Sequence, residues 1–316
     1  MKALLHYRAS PALRERLSDS APDWLRIVTV DEADRENIAR ELADTDVLLH
    51  VLEPVTRDLM AVAPRLRFIQ KIGVGVNTID LVEAKRRGIR VANMPGTNSQ
   101  AVCEMALALL LTALRKVIPF DAATRRGEGW ILPPGSTDDV TEIHGKTVGL
   151  VGYGEVPRRL APVLQALGAR VLAFDLRSPG DGIAQPATLD ELLAVSDIVS
   201  LHLPLTEETR HLLDRETLGR MKQGVVLVNT ARGGLIDEAA LVEALRSGHV
   251  RAAGLDVFDR EPLSSEHPLL SLPNVVVMPH LSWLTAETLE RSFVVAMENC
   301  TRLRDGADLQ NEIQLP

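Results

Sequence analysis

The chain has 316 residues, with 43 acidic and 35 basic side chains, a net charge of -8 at pH 7 and a pI near 5.6. This length suffices for two buried cores, and the acidic balance argues against attraction to nucleic acid or an anionic membrane. Two cysteines make no disulfide framework, no apolar run can cross a bilayer, and the first residues lack a signal-peptide core. We therefore expect a soluble, cytoplasmic protein that binds neither nucleic acid nor membrane.

Strand-like runs alternate with helix-like segments along most of the chain, a pattern typical of parallel sheets covered by helices. The first series predicts strands at 3–7, 26–30, 47–51, 68–72 and 89–93. A long helix follows at 98–118, with Asn98 or Ser99 as its N-cap. It is apolar almost all round and should be buried, one alternative being a position between two domains. A connection rich in glycine, proline and charge comes next and predicts surface structure.

A second series of strands begins near residue 146 and predicts six strands, the number in a complete dinucleotide-binding sheet. The runs are TVGLVG, RVLAFD, DIVSLHL, VVLVNT, RAAGLDVF and NVVVMPH. The final segment, 285–300, has helical periodicity, and the tail could return to the first domain. Two doubly wound parallel sheets are therefore expected.

The segment GLVGYGEVPRRL, 149–160, follows a predicted strand and opens a helix. Gly152 and Gly154 supply the first two glycines of a G-x-G-x-x-G turn, which brings a backbone close to a pyrophosphate at a helix N-terminus. Pro157 replaces the third glycine and is tolerated in a first helical turn, where its missing N–H has no intrahelical partner. The turn alone also fits an ordinary strand-to-helix connection. Asp175, at the end of the next strand, makes a dinucleotide site the favoured interpretation, because its carboxylate can accept both ribose hydroxyls.

Asp175 also bears on the choice of cofactor. A carboxylate there would repel the 2′-phosphate of NADP, so the sequence favours NAD. Arg177, two residues further on, leaves room for the phosphorylated cofactor.

Polar side chains of distinct chemistry stand at three later strand ends. Arg232 follows VVLVNT, Asp256 and Glu261 follow RAAGL, and His280 ends VVVMPH. Singly they fit a surface ion pair, a solvated turn and a structural histidine. Because ligands of an open α/β sheet bind beyond the carboxyl ends of its strands, their joint occurrence predicts one crevice.

The chemistry of these groups is complementary. The Arg232 guanidinium offers a planar fork for a carboxylate. The His280 imidazole can give a proton to a carbonyl or take one from a hydroxyl, and Glu261 would orient the ring and favour its charged form. A 2-oxo acid carries a carboxylate beside a carbonyl and fits this set.

The chain resembles the D-isomer-specific 2-hydroxyacid dehydrogenases, which include phosphoglycerate, glycerate and hydroxypyruvate dehydrogenases. The resemblance spans essentially the whole chain and rests on GVGVNTID, HGKTVGLVGYG, VNTARGGLIDEAALVEAL, GLDVFDREPL and the dipeptide PH at 279–280. It implies an enzyme that transfers hydride between NAD and C2 of a small D-2-hydroxy or 2-oxo acid. His280 would be the acid/base, Glu261 its partner and Arg232 the ligand of the carboxylate.

The resemblance also implies a domain arrangement. A Rossmann NAD-binding domain at 98–282 would be inserted in a flavodoxin-like substrate domain made of 1–97 and 283–316, with substrate in the cleft and a homodimer formed through the NAD-binding domain. Substrate contacts would come from Val74 and Gly75. Trp283 would either shape the substrate pocket or pack in the hinge. The NAD site would be lined by Gly152, Gly154, Glu155, Val156, Asp175, Leu203, Thr230, Ala231 and Asp256.

One alternative from another class is an NAD(H)-sensing interaction protein of the corepressor type on the same scaffold. Because no partner-binding tail is appended, we expect the enzyme, and because the sequence ends at Pro316 we expect no serine feedback through a C-terminal regulatory domain. The other histidines show no metal-ligand spacing, so no metal is expected. His202 is interpreted as structural and Cys103 as a core residue.

Overall fold

The computed structural model describes residues 1–176 and 180–316 and divides into two compact units. The first unit consists of Met1–Asn98 and Thr285–Pro316, and the second is Ser99–Leu284. Each unit is built on a parallel sheet, as the alternating pattern predicts. The chain passes from one unit to the other at positions within two residues of the predicted domain bounds. The assignment of substrate and NAD to the respective units stays a prediction.

The first unit has a five-stranded parallel sheet in the order β2-β1-β3-β4-β5. This is the flavodoxin-like order, which confirms the predicted fold class. The sheet is made of β1 (Lys2–His6), β2 (Arg26–Val30), β3 (Val47–His50), β4 (Phe68–Lys71) and β5 (Arg90–Ala92). Its helices are α1 (Pro11–Ser20), α2 (Arg35–Leu42), α3 (Arg57–Ala61), α4 (Leu81–Arg87) and the C-terminal helix Ala286–Arg304.

The C-terminal helix returns to the first unit and is held there by a buried amide network. It begins after Thr285, whose hydroxyl accepts the Thr288 amide at 3.1 Å. Near its end, Nδ2 of the buried Asn299 donates to Oε1 of Gln70 on β4 at 2.7 Å and to the carbonyl of Gln310 at 3.1 Å. The helix continues four residues beyond the predicted end at Cys300, because the apolar stripe continues to Leu303.

The second unit has a seven-stranded parallel sheet in the order β12-β11-β10-β9-β6-β7-β8. This is the Rossmann order with one added edge strand. The strands are β6 (Thr147–Val151), β7 (Arg170–Phe174), β8 (Gln185–Pro186), β9 (Ile198–Leu201), β10 (Val225–Asn229), β11 (Val250–Leu255) and β12 (Val275–Val277). Six were predicted; the two-residue β8 is too short to carry a periodic signal. The helices are α5 (Ser99–Arg115), α6 (Val117–Arg125), α7 (Glu155–Ala166), α8 (Leu189–Val195), α9 (Arg215–Arg220) and α10 (Glu238–Arg246).

The sheet of the second unit is covered on both faces. Along β10, Val225 and Leu227 belong to one core cluster, and Val226 and Val228 belong to the other. This burial explains the uninterrupted apolar run of a central parallel strand. Helix α5 packs so closely on β11 that a Cβ added to Gly254 would lie 2.9 Å from Cβ of Leu109.

The prediction of one long helix at 98–118 is wrong at its C-terminal end. Helix α5 stops at Arg115, and a second helix, α6, starts at Val117. Lys116 between them has a left-handed conformation with φ of 49°. Its ammonium group pairs with Asp139, so a long-range ion pair accompanies the break.

Two absences hold for residues 1–176 and 180–316. None of the helices there is both long and apolar enough to span a bilayer. The same ranges contain no cluster of three or more His, Cys, Asp or Glu side chains arranged to hold a metal ion.

Candidate active site

The glycine turn joins β6 to α7. Gly152 has φ of 94°, and a Cβ on it would lie 2.7 Å from the carbonyl oxygen of His202. Only glycine fits that position without a shift of backbone. Gly154 is the N-cap of α7 and carries no capping side chain, and a Cβ there would meet nothing within 4 Å. Pro157 lies in the first turn of the helix, where proline is tolerated.

Asp175 directly follows β7 and is tied to the glycine turn. Its Oδ2 accepts a hydrogen bond from the amide of Tyr153 at 2.7 Å. The carboxylate predicted to read the ribose is thus fixed beside the loop predicted to hold the pyrophosphate. Arg177, which bears on the choice between NAD and NADP, lies outside the described residues.

The other predicted NAD-lining residues differ in burial. Oγ1 of Thr230 is buried and has no hydrogen-bond partner among the residues that the structure describes. A Cβ on Gly152 would lie 3.0 Å from Cδ2 of Leu203. Glu155 is exposed, and Val156 and Ala231 are partly buried.

These features fit a dinucleotide. Gly152 and Gly154 allow close backbone approach, α7 presents an N-terminus without a capping side chain, and Thr230 holds a buried hydroxyl. His202 at the neighbouring strand end is a structural histidine, as interpreted from the sequence. Its Nε2 bonds Oγ of Ser200 at 2.9 Å, and burial lowers the pKa of His202 to about 4.

The turn after β10 carries Arg232, a charged residue placed directly after a buried strand. Asn229, the last residue of β10, is buried and braces this turn with its amide. Its Oδ1 accepts the amide of Ala231 at 3.0 Å, and its Nδ2 donates to the carbonyl of Arg232 at 2.9 Å. The Asn229 side chain therefore fixes the backbone that carries Arg232. The guanidinium Nη1 of Arg232 donates to the carbonyl of Ala231 at 2.6 Å.

Gly233 brings the turn after β10 against the loop after β11. A Cβ on Gly233 would lie 1.8 Å from the carbonyl carbon of Phe258 and 2.2 Å from the amide nitrogen of Asp259. No side chain fits that space unless the backbone shifts. The absence of a side chain at Gly233 therefore permits the approach of Arg232 to the loop that carries Glu261.

His280 and Glu261 form a close pair. Nδ1 of His280 lies 2.6 Å from Oε2 of Glu261, and Oε1 of Glu261 accepts the amide of Phe258 at 2.8 Å. Burial alone would raise the pKa of the Glu261 carboxyl, but the hydrogen bond and charge of His280, the Phe258 amide and the charge of Arg232 together lower it. Glu261 is thus held as a carboxylate.

Arg232 belongs to the same electrostatic cluster. Burial lowers the pKa of Arg232 from its ordinary value, and the charge of Glu261 opposes that effect. Glu261 therefore interacts with both Arg232 and His280, and the structure brings together the three side chains from successive strand ends. Nε2 of His280 makes no hydrogen bond to any residue within 1–176 or 180–316, so it is the ring nitrogen open to a ligand.

Asp256 holds the turn that carries His280. Its side chain is buried, and its Oδ1 and Oδ2 each accept a backbone amide at 2.9 Å, from Leu281 and Ser282. Its carbonyl accepts the amide of His280 at 2.8 Å, where the backbone has φ of 56°. Asp256 thus stabilises a left-handed residue in the active-site turn. A contact between Asp256 and NAD stays a prediction.

Trp283 supports the same turn from its other end. The indole is buried, and its Nε1 donates to the carbonyl of His280 at 3.2 Å. The contact with the His280 carbonyl lies within the second unit. A position in the hinge and contact of the ring with substrate both stay predictions.

Val74 and Gly75 lie in the first unit, on the loop after β4. The Val74 carbonyl accepts Nδ2 of Asn93 at 2.8 Å, and the Gly73 carbonyl accepts the amide of Met94 at 2.8 Å. The loop is thus fixed to the segment after β5, and 46% of Val74 is exposed. The exposure is compatible with the predicted substrate contact, which this geometry does not test.

The second unit also matches known proteins in sequence. Residues 107–282 match the family model described as D-isomer specific 2-hydroxyacid dehydrogenase, NAD binding domain. The chain belongs to this family.

Relatives agree with the family assignment. The chain is 43% identical over 276 residues to D-3-phosphoglycerate dehydrogenase of Mycobacterium leprae, a match that covers 85% of this chain and 51% of that protein. It is 40% identical over 280 residues to glyoxylate reductase of Aeropyrum pernix, with 86% and 83% covered. The crystal structure of TT0316 protein from Thermus thermophilus matches with a TM-score of 0.88 at 36% identity, covering 99% of this chain and 100% of that chain. The chain thus spans about half the length of the mycobacterial relatives that it matches.

Two residues of this 2-hydroxyacid dehydrogenase family member were missed by sequence reasoning. Asn229 was treated as one residue of a buried strand, although a lone amide ending an apolar run is a signal of a braced turn. No role was predicted for Gly233, because its role depends on contact with Phe258, which no local pattern predicts.

Proposed function

We propose that this chain is an NAD-dependent oxidoreductase that transfers hydride between the nicotinamide and C2 of a small D-2-hydroxy or 2-oxo acid. The observation that carries the proposal is the 2.6 Å contact between His280 and Glu261, a carboxylate whose pKa the charge of Arg232 also lowers. The three side chains follow β10, β11 and β12, which are neighbours at one end of a Rossmann-type sheet. Membership of the D-2-hydroxyacid dehydrogenase family supports the same reaction.

Arg232 binds and orients the substrate carboxylate in this proposal. A guanidinium presents paired N–H donors in a plane, which matches the two oxygens of a carboxylate. The bracing of its backbone by Asn229 and the close packing at Gly233 restrict where the fork can point. A fixed carboxylate in turn fixes the position of the adjacent C2 carbonyl.

His280 transfers the proton. Reduction adds one hydride to C2 and one proton to the carbonyl oxygen, and a nicotinamide cofactor in its reduced form would supply the hydride. Nδ1 of His280 is engaged by Glu261, so Nε2 is the atom that donates the proton. The Glu261 carboxylate stabilises the imidazolium before transfer. In the oxidative direction, neutral His280 accepts the hydroxyl proton at Nε2.

The cofactor assignment within this proposal is NAD. Gly152 and Gly154 would hold the pyrophosphate, Thr230 offers a buried hydroxyl that bonds none of the described residues, and Asp175 would accept the ribose hydroxyls. The Asp175 carboxylate supports NAD over NADP because it would repel a 2′-phosphate. The alternative of an NAD(H)-sensing interaction protein gains no support from relatives named as dehydrogenases and reductases.

The substrate class is tested by measuring NADH oxidation with glyoxylate, hydroxypyruvate, pyruvate and branched or thioether 2-oxo acids. We expect at least one of these acids to be reduced to the D-2-hydroxy acid, and the ranking of kcat/KM to identify the preferred side chain. NADH binding without oxidation of NADH by any acid would contradict the enzyme and favour the interaction protein.

The proposed homodimer would form through α6 and the segment after it. Val117 and Ile118 are exposed on α6, and Trp130 and Ile131 are 87% and 89% exposed. Monomers rarely leave several large apolar side chains this exposed within one short segment, so we expect a second copy of the same unit to cover them. Trp130→Ser should shift the sedimenting species from dimer to monomer. A wild-type monomer at high concentration would contradict the proposal.

The state of the two cysteines supports a proposed cytoplasmic location. Both Cys103 and Cys300 are free and buried, as expected for a reducing compartment. Fractionation of cells that express the chain would test it, and recovery outside the cytoplasm would contradict it.

A further inference from the structure

Glu238, the first residue of α10, contacts the loop that carries the acid–base pair. Its Oε1 accepts the backbone amide of Asp259 at 2.8 Å. The preceding amide, that of Phe258, donates to Oε1 of Glu261 at 2.8 Å. Two consecutive amides of the loop are therefore each held by a glutamate. Glu261 anchors its own loop internally, and Glu238 anchors that loop to a helix.

The second oxygen of Glu238 is also engaged. Oε2 lies 3.2 Å from Nε2 of His267, and Nδ1 of His267 accepts the amide of Leu269 at 3.4 Å. Because Nδ1 accepts that amide, the ring proton lies on Nε2, which faces Glu238 at ion-pair distance. The two side chains line a surface cleft of about 310 Å³ with Glu243 and Arg246. Glu238 is thus oriented by a histidine outside the proposed active site.

The loop is closely packed against Gly233 at Asp259. The Asp259 amide nitrogen would lie 2.2 Å from a Cβ on Gly233, so the backbone there is already closely packed. A hydrogen bond from an amide to a carboxylate is stronger than one between neutral groups. Its loss would free Asp259 and shift the position of Glu261, two residues further along the chain.

We propose that Glu238 is a positioning residue of the acid–base pair: by holding the Asp259 amide, it sets Glu261 at hydrogen-bond distance from His280. The inference rests on the proposed function. Glu238 touches neither substrate nor cofactor in the proposed mechanism and acts only through the loop. A glutamate at the start of a helix also favours the helix dipole, so the test needs a measurement that helix stability alone does not change.

The test compares Glu238→Ala and Glu238→Gln with a matched control, Glu243→Gln. Glu243 lies on the same helix and lines the same cleft, but it pairs with Arg215 and has no contact with the loop among the described residues. Glu238→Gln keeps a carbonyl oxygen that can accept the Asp259 amide. For each variant, kcat and KM for the 2-oxo acid, the NADH dissociation constant, the thermal midpoint and the pH profile of kcat/KM are measured.

We expect Glu238→Ala to lower kcat by roughly 10- to 100-fold, the scale of a misplaced catalytic group, with little change in NADH binding. The basic limb of the reductive pH profile should move to lower pH, because a displaced Glu261 no longer stabilises the imidazolium. Glu238→Gln should recover most of the rate, and Glu243→Gln should behave as wild type.

A lower thermal midpoint in Glu238→Ala with an unmoved pH profile would overturn the inference and leave Glu238 a structural residue. Equal losses in the Ala and Gln variants would also overturn it, since the hydrogen bond would not be the cause. Glu261→Gln is assayed alongside. If Glu261→Gln leaves the pH profile unchanged, the proposed acid–base pair itself is wrong. If Glu261→Gln shifts the profile but Glu238→Ala does not, only the proposed role of Glu238 is wrong.

Discussion

Nδ1 of His280 lies 2.6 Å from Oε2 of Glu261, although the two residues follow different strands. Glu261 comes after β11 and His280 after β12, and these strands are neighbours in the sheet. The pairing fixes the orientation of the imidazole and directs Nε2 away from Glu261. A dehydrogenase that moves a proton to or from a substrate oxygen needs an imidazole whose Nδ1 is held by a hydrogen bond and whose Nε2 is available to the substrate.

Replacement of His280 by alanine should lower kcat by roughly 10²- to 10⁴-fold, the usual contribution of a positioned acid or base. NADH binding, measured by its fluorescence, should change little. His202→Ala provides a comparison, because His202 is a histidine of the same unit that bonds Ser200. Wild-type turnover in the His280 variant would remove it from the mechanism.

Arg232→Ala should weaken binding of the 2-oxo acid far more than binding of NADH. Loss of hydrogen bonds to a charged group costs about 1.5–3 kcal/mol, so KM for the acid should rise by about 10- to 100-fold. Arg232→Lys keeps the charge without the planar fork and should recover only part of the loss. Steady-state kinetics and NADH titration give both quantities, and equal weakening of the two ligands would argue against a carboxylate role.

Glu261 should make stability depend on pH in the acid range. Its pKa in the folded protein is lowered from 4.5, because interactions with His280, the Phe258 amide and Arg232 outweigh burial. A lowered folded pKa means that the contribution of Glu261 is present above the unfolded pKa and is lost as pH falls through the folded one. Equilibrium unfolding of wild type and Glu261→Gln from pH 6 downward should therefore converge at low pH. Curves that run parallel over this range would contradict the assignment.

Asp175→Ala should reduce the preference for NADH over NADPH, because the carboxylate that would repel the 2′-phosphate is gone. The ratio of kcat/KM for the two cofactors measures this effect. Because Oδ2 of Asp175 also accepts the Tyr153 amide, Asp175→Asn serves as a control that keeps an acceptor without the charge. Unchanged selectivity in both variants would show that the ribose is recognised elsewhere.

Gly233→Ala should destabilise the protein and impair catalysis. The new Cβ would lie 1.8 Å from the carbonyl carbon of Phe258, and overpacking of this kind typically costs about 1–3 kcal/mol. Gly219→Ala is the matched control, since a Cβ there meets nothing within 4 Å and alanine favours the helix. Denaturant unfolding compares them, and equal stability of the two variants would refute the close-packing argument.

Local patterns predicted much of the fold because the faces that an element buries determine where its apolar residues stand in the sequence. β10 is apolar on both faces because each face lies against a core cluster, and Gly152 stands where a strand turns into a helix. The edge strand β8 and the break at Lys116 escaped prediction. The first is too short for a period, and the second depends on a partner, Asp139, that is remote in sequence.

The sequence by itself determined which chemical groups this protein brings to its strand ends: a guanidinium, an imidazole and a carboxylate after a dinucleotide turn. The pairing of Glu261 with His280 was expected from the sequence and its family resemblance, and the tertiary structure supplied its 2.6 Å distance. Only the tertiary structure decided that Gly233 lets two loops meet and that Glu238 holds one of them. The physical reason is that these contacts are set by strand order and by close packing between segments distant in sequence. A local pattern records the burial of a residue but not the identity of its neighbour.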